Sequence, residues 1–216
     1  IEHVARIGIA LQKLIVKRAV SFAFGNPVEL KAQTNNNSTQ EQILKSVKEV
    51  LKGVKEKSLN RRIASILFSC TEVAECWYAS QQDNAQYGFN SKYKLRCAVF
   101  SPLLGDTLYP VFDHTRHMAA FSREFSKKDN GKTIKYFETY TDSEHLLWVL
   151  NKGTWNIIEG YPKENGIDKI PIVYGQQPEV EWGDVQFMID RLEKLLSNFA
   201  DTNDYQKKKK ILVKGE

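Results

Sequence analysis

The chain has 216 residues, 42% of them hydrophobic and 26% charged, which excludes disorder over most of its length and allows one large domain or a domain with an appendage. Its longest apolar runs are about four to six residues, far short of the roughly 20 that cross a bilayer, so no transmembrane segment is expected. The net charge of +5 arises from basic ends, residues 1–62 and 207–216, and an acidic middle. This distribution is weak evidence for a protein that binds DNA tightly through one basic surface.

Helical spacing dominates the start of the chain. Apolar residues recur every three or four positions from His3 to Phe24 and predict the first helix. Gly25-Asn26-Pro27 ends this helix, because Gly and Asn accept the left-handed cap and the residue before a proline leaves the α region. The alternation in Val28-Glu29-Leu30-Lys31 predicts a short strand, and residues 35–38 predict a polar loop.

Two further helices are predicted before any substantial sheet. Thr39 and Gln42 form a capping-box pattern at the start of the second helix, whose apolar face runs to Val54. The third helix is predicted after Asn60 and ends at the polar run of residues 81–84. Its apolar stripe consists of Ile63, Ile66, Leu67, Cys70, Val73, Ala74 and Trp77.

Strand-like runs separated by turn residues follow from Lys94 onward. Asp129-Asn130-Gly131 and Asn151-Lys152-Gly153 predict hairpin turns, since Asn and Gly accept positive φ. The short connections predict an antiparallel meander, and the expected fold class is therefore α+β. The predicted strands are Lys94–Phe100, Leu108–Phe112, Met118–Phe125, Thr133–Thr141, Leu146–Leu150 and Thr154–Glu159.

The last quarter of the chain combines a short strand with a long helix. Ile170-Pro171-Ile172-Val173-Tyr174 predicts a buried strand, and an amphipathic helix is predicted from Trp182 to about Asp204. At about 1.5 Å per residue this helix extends 30 Å or more, long enough to project from a globular body. Its polar face is mainly acidic, with Asp184, Asp190, Glu193, Asp201 and Asp204 against Arg191 and Lys194.

The three cysteines, Cys70, Cys76 and Cys97, form no CxxC pair and leave one thiol over in any disulfide scheme. This number predicts reduced thiols that pack as small apolar residues, and folding in a reducing compartment. Ile1 is not a usual start residue, so the sequence is interpreted as a piece of a longer polypeptide.

The chain contains no recognisable catalytic or metal-binding motif. His114 and His117 follow Asp113 in a turn that enters a strand, where positions three apart face opposite sides, so a metal site is not predicted. Ser69, Cys70 and Ser101 lack the GxSxG context of an activated nucleophile, and no phosphate-binding glycine loop occurs. Neither a metal nor a cofactor is expected, and the chain is not predicted to be an enzyme.

Two features suit nucleic acid but have simpler interpretations. Aromatic residues alternate with lysines between residues 132 and 161, yet nearby carboxylates would repel a phosphate backbone, so packing within a sheet is favoured. Lys207-Lys208-Lys209-Lys210 is the only dense charge run, and it is interpreted as a solvated segment or a junction.

The order of these elements resembles the amino-terminal part of the portal proteins of tailed bacteriophages, of the type found in long-tailed Bacillus phages. Each motif is short, and the order of the elements carries the resemblance. The matching elements are Phe24-Gly25-Asn26-Pro27, the helical pair, Tyr109-Pro110-Val111-Phe112-Asp113, Ile170-Pro171-Ile172-Val173 and the Gly183-Asp184 start of the long helix.

The resemblance implies a subunit of the ring-shaped channel at the capsid vertex of the virion. Residues 1–181 would form the outer α+β body called the wing, residues 182–205 the stem helix beside the channel, and residues 206–216 the start of a clip-like segment or a basic tail. Such proteins assemble in the bacterial cytoplasm as rings of about twelve subunits. They bind the terminase motor, head-completion or adaptor proteins, and capsid and scaffolding protein, and double-stranded DNA passes through without sequence specificity and without contact with a membrane.

An acidic helix suits a channel in which DNA must slide, because it repels the duplex instead of holding it. The residues expected to face the channel are Asp190, Glu193, Asp201 and Asp204. Two other classes of function stay open at this point. A nucleic-acid-binding module requires Lys13, Lys17, Arg18, Arg61 and Arg62 to converge on one surface, and a small hydrolase requires His114 or His117 to meet a carboxylate or thiol in a pocket.

Overall fold

The computed structural model describes residues 6–26, 28–31 and 38–208. Two compact units divide the chain: one combines the segment up to Phe22 with the segment from Glu181 onward, and the other runs from Ala23 to Val180. No helix within the described ranges is both long and apolar enough to cross a membrane. Residues 35–37 of the predicted polar loop lie outside those ranges, and Ser38 is already the first residue of a helix. Residues 209–216, which include the end of the lysine run and most of the predicted clip-like segment, also lie outside them.

The described residues form an α+β fold, as predicted, with amino-terminal helices, an antiparallel meander and a long final helix. The helices are α1 Leu11–Ala23, α2 Ser38–Gly53, α3 Glu56–Cys70 and α4 Gln186–Lys208, the last preceded by a single 3₁₀ turn at Gly183–Val185. The strands are β1 Glu72–Asn84, β2 Ser91–Phe100, β3 Thr107–Phe112, β4 Met118–Asp129, β5 Lys132–Tyr140, β6 Glu144–Asn151, β7 Thr154–Ile157, β8 Lys163–Glu164 and β9 Ile172–Gln176.

The first helix is shorter than predicted. α1 begins only at Leu11, and the described residues 6–9 before it are not helical. In this segment the N–H groups of Ile7 and Ile9 donate to side chains of α4. These hydrogen bonds satisfy the two backbone N–H groups without the helical turn that the apolar spacing predicted.

The predicted strand at Val28–Lys31 is wrong: these residues adopt no regular secondary structure. An extended segment becomes a strand only when a partner satisfies its backbone groups. None of the described strands pairs with this segment, so its alternating pattern has no sheet to join.

The third predicted helix is wrong beyond Cys70. α3 begins earlier than predicted, at Glu56, and ends at Cys70. Thr71 then adopts a left-handed conformation with φ 67°, and its N–H donates to the carbonyl of Leu67 at 2.9 Å. The chain continues at once as β1, because strand pairing on both sides of this segment outweighs the local helical spacing.

The first sheet has the order β2-β1-β9, and both of its pairings are antiparallel. β1 is the central strand, so Cys76 lies opposite Ala98 of β2 and Ile172 of β9. The hydroxyl of Tyr174 donates to a carboxylate oxygen of Glu72 at 2.8 Å across the β1–β9 pair. The predicted strand near Ile170 therefore forms, and it pairs with a strand that the sequence pattern did not reveal.

The second sheet is the predicted meander, with the order β3-β4-β5-β6-β7 and with β8 beside β6. Both predicted hairpin turns are present. Asn130 and Gly131 have φ of 47° and 79°, and Lys152 and Gly153 have φ of 49° and 85°. These left-handed pairs match the right-handed twist of the strands that they connect.

Side chains from both sheets enter one core of the larger unit. Ala74, Cys76 and Phe100 come from β1 and β2, and Ile172 comes from β9. The second sheet contributes Phe121, which has no exposed surface, together with Leu108 and Tyr140. The ring centroid of Phe121 lies 6.2 Å from that of Tyr174, so an aromatic contact joins the two sheets.

Replacing Phe121 by Ala is expected to destabilise the larger unit by about 3–5 kcal/mol, because it opens a cavity where the two sheets meet. The measurement is urea unfolding followed by circular dichroism. Phe89→Ala is the matched control, because 58% of Phe89 is already exposed. Equal losses in the two variants would show that Phe121 does not hold the core together.

Candidate functional site

The long helix α4 and the segment bound to it form the first candidate site. The N–H of Ile9 donates to a carboxylate oxygen of Glu193 at 2.8 Å, and the N–H of Ile7 donates to the hydroxyl of Ser197 at 3.1 Å. Ile189 is buried in this unit, with 3% of its surface exposed. The carboxylate of Glu193 also lies near the start of α1, where the helix dipole favours negative charge.

The four predicted channel residues share one side of α4. At about 100° per residue they fall within roughly 80° around the helix axis, with Lys194 at one border. Asp190 and Asp204 are exposed, whereas Glu193 and Asp201 are half-buried. Asp190 accepts a hydrogen bond of 2.6 Å from the side-chain amide of Gln186, one turn earlier. We call Asp190, Glu193, Asp201 and Asp204 the acidic sector.

A second side of α4 is apolar and exposed. Met188, Leu192, Leu195 and Phe199 form a stripe about 60° wide, and between 41% and 66% of each side chain is accessible. This stripe lies almost opposite the acidic sector. An amphipathic helix normally buries its apolar side, so a row of large exposed side chains indicates a surface that another protein element covers.

The histidines singled out in the sequence do not form a catalytic site. Asp113, His114 and His117 are exposed in the β3–β4 turn. The carboxylate of Asp113 accepts hydrogen bonds from Thr115 and from the backbone N–H of His117, so it organises the turn. Hydrogen bonding to Thr115 lowers the pKa of Asp113. Within the described ranges no group of His, Cys, Asp and Glu is arranged to hold a metal ion.

The candidate nucleophiles are also unsuitable. Ser101 is completely buried, and within α3 the hydroxyl of Ser69 donates to the carbonyl of Ser65 and the thiol of Cys70 to the carbonyl of Ile66. The other two thiols lie in strands β1 and β2. Burial raises the pKa of the Cys76 thiol to about 11 and that of Cys97 to about 12. Both thiols are therefore protonated and poorly nucleophilic at neutral pH.

A buried charge network that the sequence analysis did not predict crosses the second sheet. The guanidinium of Arg123 lies 2.6 Å from Glu138 and 3.2 Å from Asp106, and it stacks over the ring of Phe100 at 3.5 Å. The other oxygen of Glu138 accepts hydrogen bonds from Tyr140 and His145. We call Asp106, Arg123, Glu138, Tyr140 and His145 the buried charge network.

Glu138 is the centre of this network. Burial opposes its charged form, but the hydrogen bond from His145, the charge of Arg123 and the hydrogen bond from Tyr140 outweigh burial and hold its pKa at about 2. Because the folded pKa is lowered, the native state is more stable with Glu138 ionised than with Glu138 protonated. Arg123 lies opposite Glu138 because of the register in which β4 pairs with β5. The sequence pattern does not give that register, so it did not reveal this pair.

The aromatic residues of the second sheet pack against one another, as the sequence analysis favoured. The ring of Phe137 lies 5.7–5.9 Å from the rings of Tyr109, Trp148 and Trp155. The imidazole of His145 stacks on Tyr140 at 4.3 Å. These contacts assign the aromatic side chains to sheet packing.

The basic residues of the nucleic-acid hypothesis do not gather within either unit. Lys13, Lys17 and Arg18 lie on α1, in the smaller unit, whereas Arg61 and Arg62 lie on α3, in the larger one. The guanidinium of Arg61 donates to the carbonyl of Phe24 at 3.3–3.4 Å, so it holds the chain segment after α1. Neither unit therefore presents all five cations by itself.

The described residues combine an α+β fold that contains a hairpin meander with a long final helix that is acidic on one side and apolar on another, an arrangement that suits a subunit of a larger assembly. The chain belongs to the family described as "Phage portal protein, SPP1 Gp6-like", which matches residues 3–216. The expected relationship to portal proteins is confirmed. A search of curated proteins gave no match. Portal proteins are structural head-tail connectors of bacteriophages and belong to the capsid.

The charge of Glu138 is expected to make the stability of the larger unit depend on pH. Because the folded pKa of about 2 lies below the ordinary value of 4.5, the contribution is complete well above pH 4.5 and disappears as the pH falls toward 2. Its size is on the order of 3 kcal/mol. Glu138→Gln should lose this contribution at pH 7 and show a flatter pH dependence between pH 5 and 3.

Urea unfolding at several pH values measures both effects. Glu159→Gln is the matched control, because Glu159 is an exposed carboxylate of the same unit. If the two variants have the same stability at pH 7 and the same slope with pH, the buried charge network does not stabilise the fold.

Proposed function

We propose that this chain is a subunit of the ring-shaped portal channel at the capsid vertex, through which double-stranded DNA is packaged and later ejected. The family match over residues 3–216 is the observation that carries the proposal. The expected partners are further copies of the chain in a ring of about twelve, the terminase motor, head-completion or adaptor proteins, and capsid and scaffolding protein. Assembly would take place in the bacterial cytoplasm.

Within this proposal, residues 1–181 supply the wing, residues 182–205 supply the stem helix, and residues 206–216 begin the clip or a basic tail. The bonds from Ile7 and Ile9 to α4 suggest a further role for the first residues. They fix a non-helical segment, residues 6–9, against the proposed stem helix. The amino-terminal segment then braces the stem in addition to leading into the wing.

The acidic sector is proposed to face the DNA. Phosphate contacts from lysine or arginine hold DNA by releasing counterions, whereas a wall of carboxylates repels the duplex and leaves it free to slide. Asp190 and Asp204 are exposed and supply most of this field. Glu193 is half-buried and accepts a hydrogen bond from the N–H of Ile9, so we expect it to contribute less to this field.

The exposed apolar stripe of α4 supports assembly. Phe199, for example, is 66% exposed. Removing such an apolar side chain from water is favourable, so we expect it to be covered in the assembled particle. In a ring, each subunit contacts two neighbours through different surfaces. Covering this stripe on assembly would leave the acidic sector, on the other side of the helix, accessible to the lumen.

Negative-stain imaging and native mass measurement of the full-length polypeptide test the ring. Rings of about twelve subunits around an open channel are expected. A monomer or dimer under all assembly conditions would contradict the proposal. A reconstruction of such rings also locates α4, and an acidic sector turned away from the lumen would refute its assignment without refuting the ring.

Removing the charges of Asp190 and Asp204 by substitution with Asn is expected to strengthen the binding of rings to duplex DNA. At low ionic strength the affinity should rise by about tenfold or more, since the changes remove repulsion at every subunit, and the gain should shrink as salt is added. Fluorescence anisotropy with a labelled duplex gives the affinity.

The matched control carries Asp129→Asn and Asp168→Asn, which remove the same number of exposed charges from the larger unit. Its affinity for DNA should change much less. Equal gains in the two double variants would mean that only the net charge matters, and the acidic sector would have no special position.

A further inference from the structure

A groove rich in lysine lies on the larger unit. The segment Val28–Lys31 forms one side, and the end of α2 with the start of α3 forms the other. Its volume is about 750 Å³, within the range of sites that hold a small ligand or a short piece of peptide. We call it the lysine groove.

The charge of the lysine groove is strongly unbalanced. Its described lining contains five lysines, Lys31, Lys48, Lys52, Lys55 and Lys57, and two residues with a carboxylate, Glu29 and Glu56. Lys31 is paired with Glu29 at 3.2 Å, and Lys52 is paired with Glu49 at 3.6 Å. No carboxylate among the described residues lies within ion-pair distance of Lys48, Lys55 or Lys57. Three ammonium groups therefore remain available to a ligand.

The start of α3 adds to this positive field. Lys55 occupies the N-cap position in a left-handed conformation, with φ 55°, and no side chain caps the helix. The first N–H groups of a helix carry a partial positive charge, which normally attracts a carboxylate or another anion. Here the N-cap side chain is itself a cation.

The lysine groove also has an apolar component. Val28 is 66% exposed, Leu30 is 38% exposed, and Leu51 is half-buried between the lysines. An apolar floor beside cations suits a ligand that combines carboxylates with aliphatic side chains. The residues 32–37 that follow Lys31 contain no carboxylate, so this neighbouring segment does not supply the missing charges.

Nucleic acid fits the lysine groove poorly. None of its described lining residues is aromatic, and none is an arginine. Single strands are normally held by bases stacked on aromatic rings, and base edges are read most often by arginine. A phosphate backbone would pair with the lysines but would leave Val28 and Leu30 uncovered.

A second copy of α4 is also a poor occupant. Its carboxylates and its exposed apolar stripe lie on nearly opposite sides of the helix, so it cannot present both to one groove.

We propose that the lysine groove docks an acidic amphipathic segment of a different protein, with apolar side chains at helical spacing and glutamates or aspartates beside them. This is a helix-in-groove contact in which charge selects the partner and apolar burial holds it.

The test uses a fluorescein-labelled synthetic helix of about 16 residues, roughly 24 Å long, with leucine every third or fourth position and glutamate elsewhere. Binding to the 216-residue chain is measured by anisotropy. Three comparison probes are the same peptide with lysine for glutamate, the same peptide with serine for leucine, and a duplex DNA. The acidic amphipathic peptide should bind at least about tenfold more tightly than any of the three.

Two double variants locate the site. Lys48→Glu with Lys57→Glu should weaken binding of the acidic peptide by about tenfold or more, because attraction becomes repulsion at two points of the groove. Lys128→Glu with Lys169→Glu makes the same change in net charge at exposed positions elsewhere in the unit and should alter binding by less than about twofold. Leu30→Ser should weaken binding while leaving the charge unchanged.

Each other outcome overturns the proposal. Tighter binding of duplex DNA would assign the lysine groove to nucleic acid, and equal binding of the serine peptide would reduce it to a charged patch. Self-association that the Lys48/Lys57 variant abolishes would make a second copy the occupant. Equal effects of the two double variants, or no binding of the acidic peptide, would remove the site. None of these outcomes bears on whether full-length subunits form rings.

Discussion

The pairing of β1 with β9 is the contact on which the larger unit depends. It joins residues 72–76 to residues 172–176, about a hundred positions apart in the chain. The chain between these two strands, which includes the whole meander, forms the loop that this pairing closes. Such distant pairing has a high entropic cost of loop closure, and burial of Ala74, Cys76 and Ile172 against the second sheet offsets it. The same pairing places Tyr174 where it contacts both Phe112 and Phe121.

Local features of the fold were predictable from the sequence. The hairpin turns at Asn130 and Lys152 follow from residues that tolerate positive φ, and the meander follows from short connections between strands. The long final helix follows from its apolar spacing. These features depend on neighbouring residues, so the sequence displays their cause directly.

Features that depend on distant residues were not predictable. Val73, Ala74 and Trp77 fit a helical stripe as well as they fit a strand, and only the presence of β2 and β9 on either side decides between the two. The partnership of Arg123 with Glu138 depends on register in the same way. For α4, the sequence predicted an acidic side, but the attachment of Glu193 to Ile9 depends on a segment that the spacing assigned to a helix.

The acidic sector, the apolar stripe of α4 and the lysine groove differ in charge and polarity. As proposed, the acidic sector would repel polyanions, the apolar stripe would be covered by a protein partner, and the lysine groove would attract carboxylates. The uneven charge of the chain, basic over residues 1–62 and acidic over residues 63–206, is consistent with surfaces that attract opposite charges. A portal subunit that, as proposed, lets DNA slide and docks an acidic partner would benefit from keeping these charges apart.

The single-residue joint at Thr71 limits how the chain can vary over evolutionary time. α3 passes into β1 with no loop between Cys70 and Glu72. An inserted residue on the strand side would move Ala74 and Cys76 to the opposite side of the sheet, since side chains alternate along a strand. The turns at Gly131 and Gly153 impose no such limit, because they lie between exposed strand ends. Related chains are therefore free to differ in length at those hairpins, whereas the joint at Thr71 must keep its length.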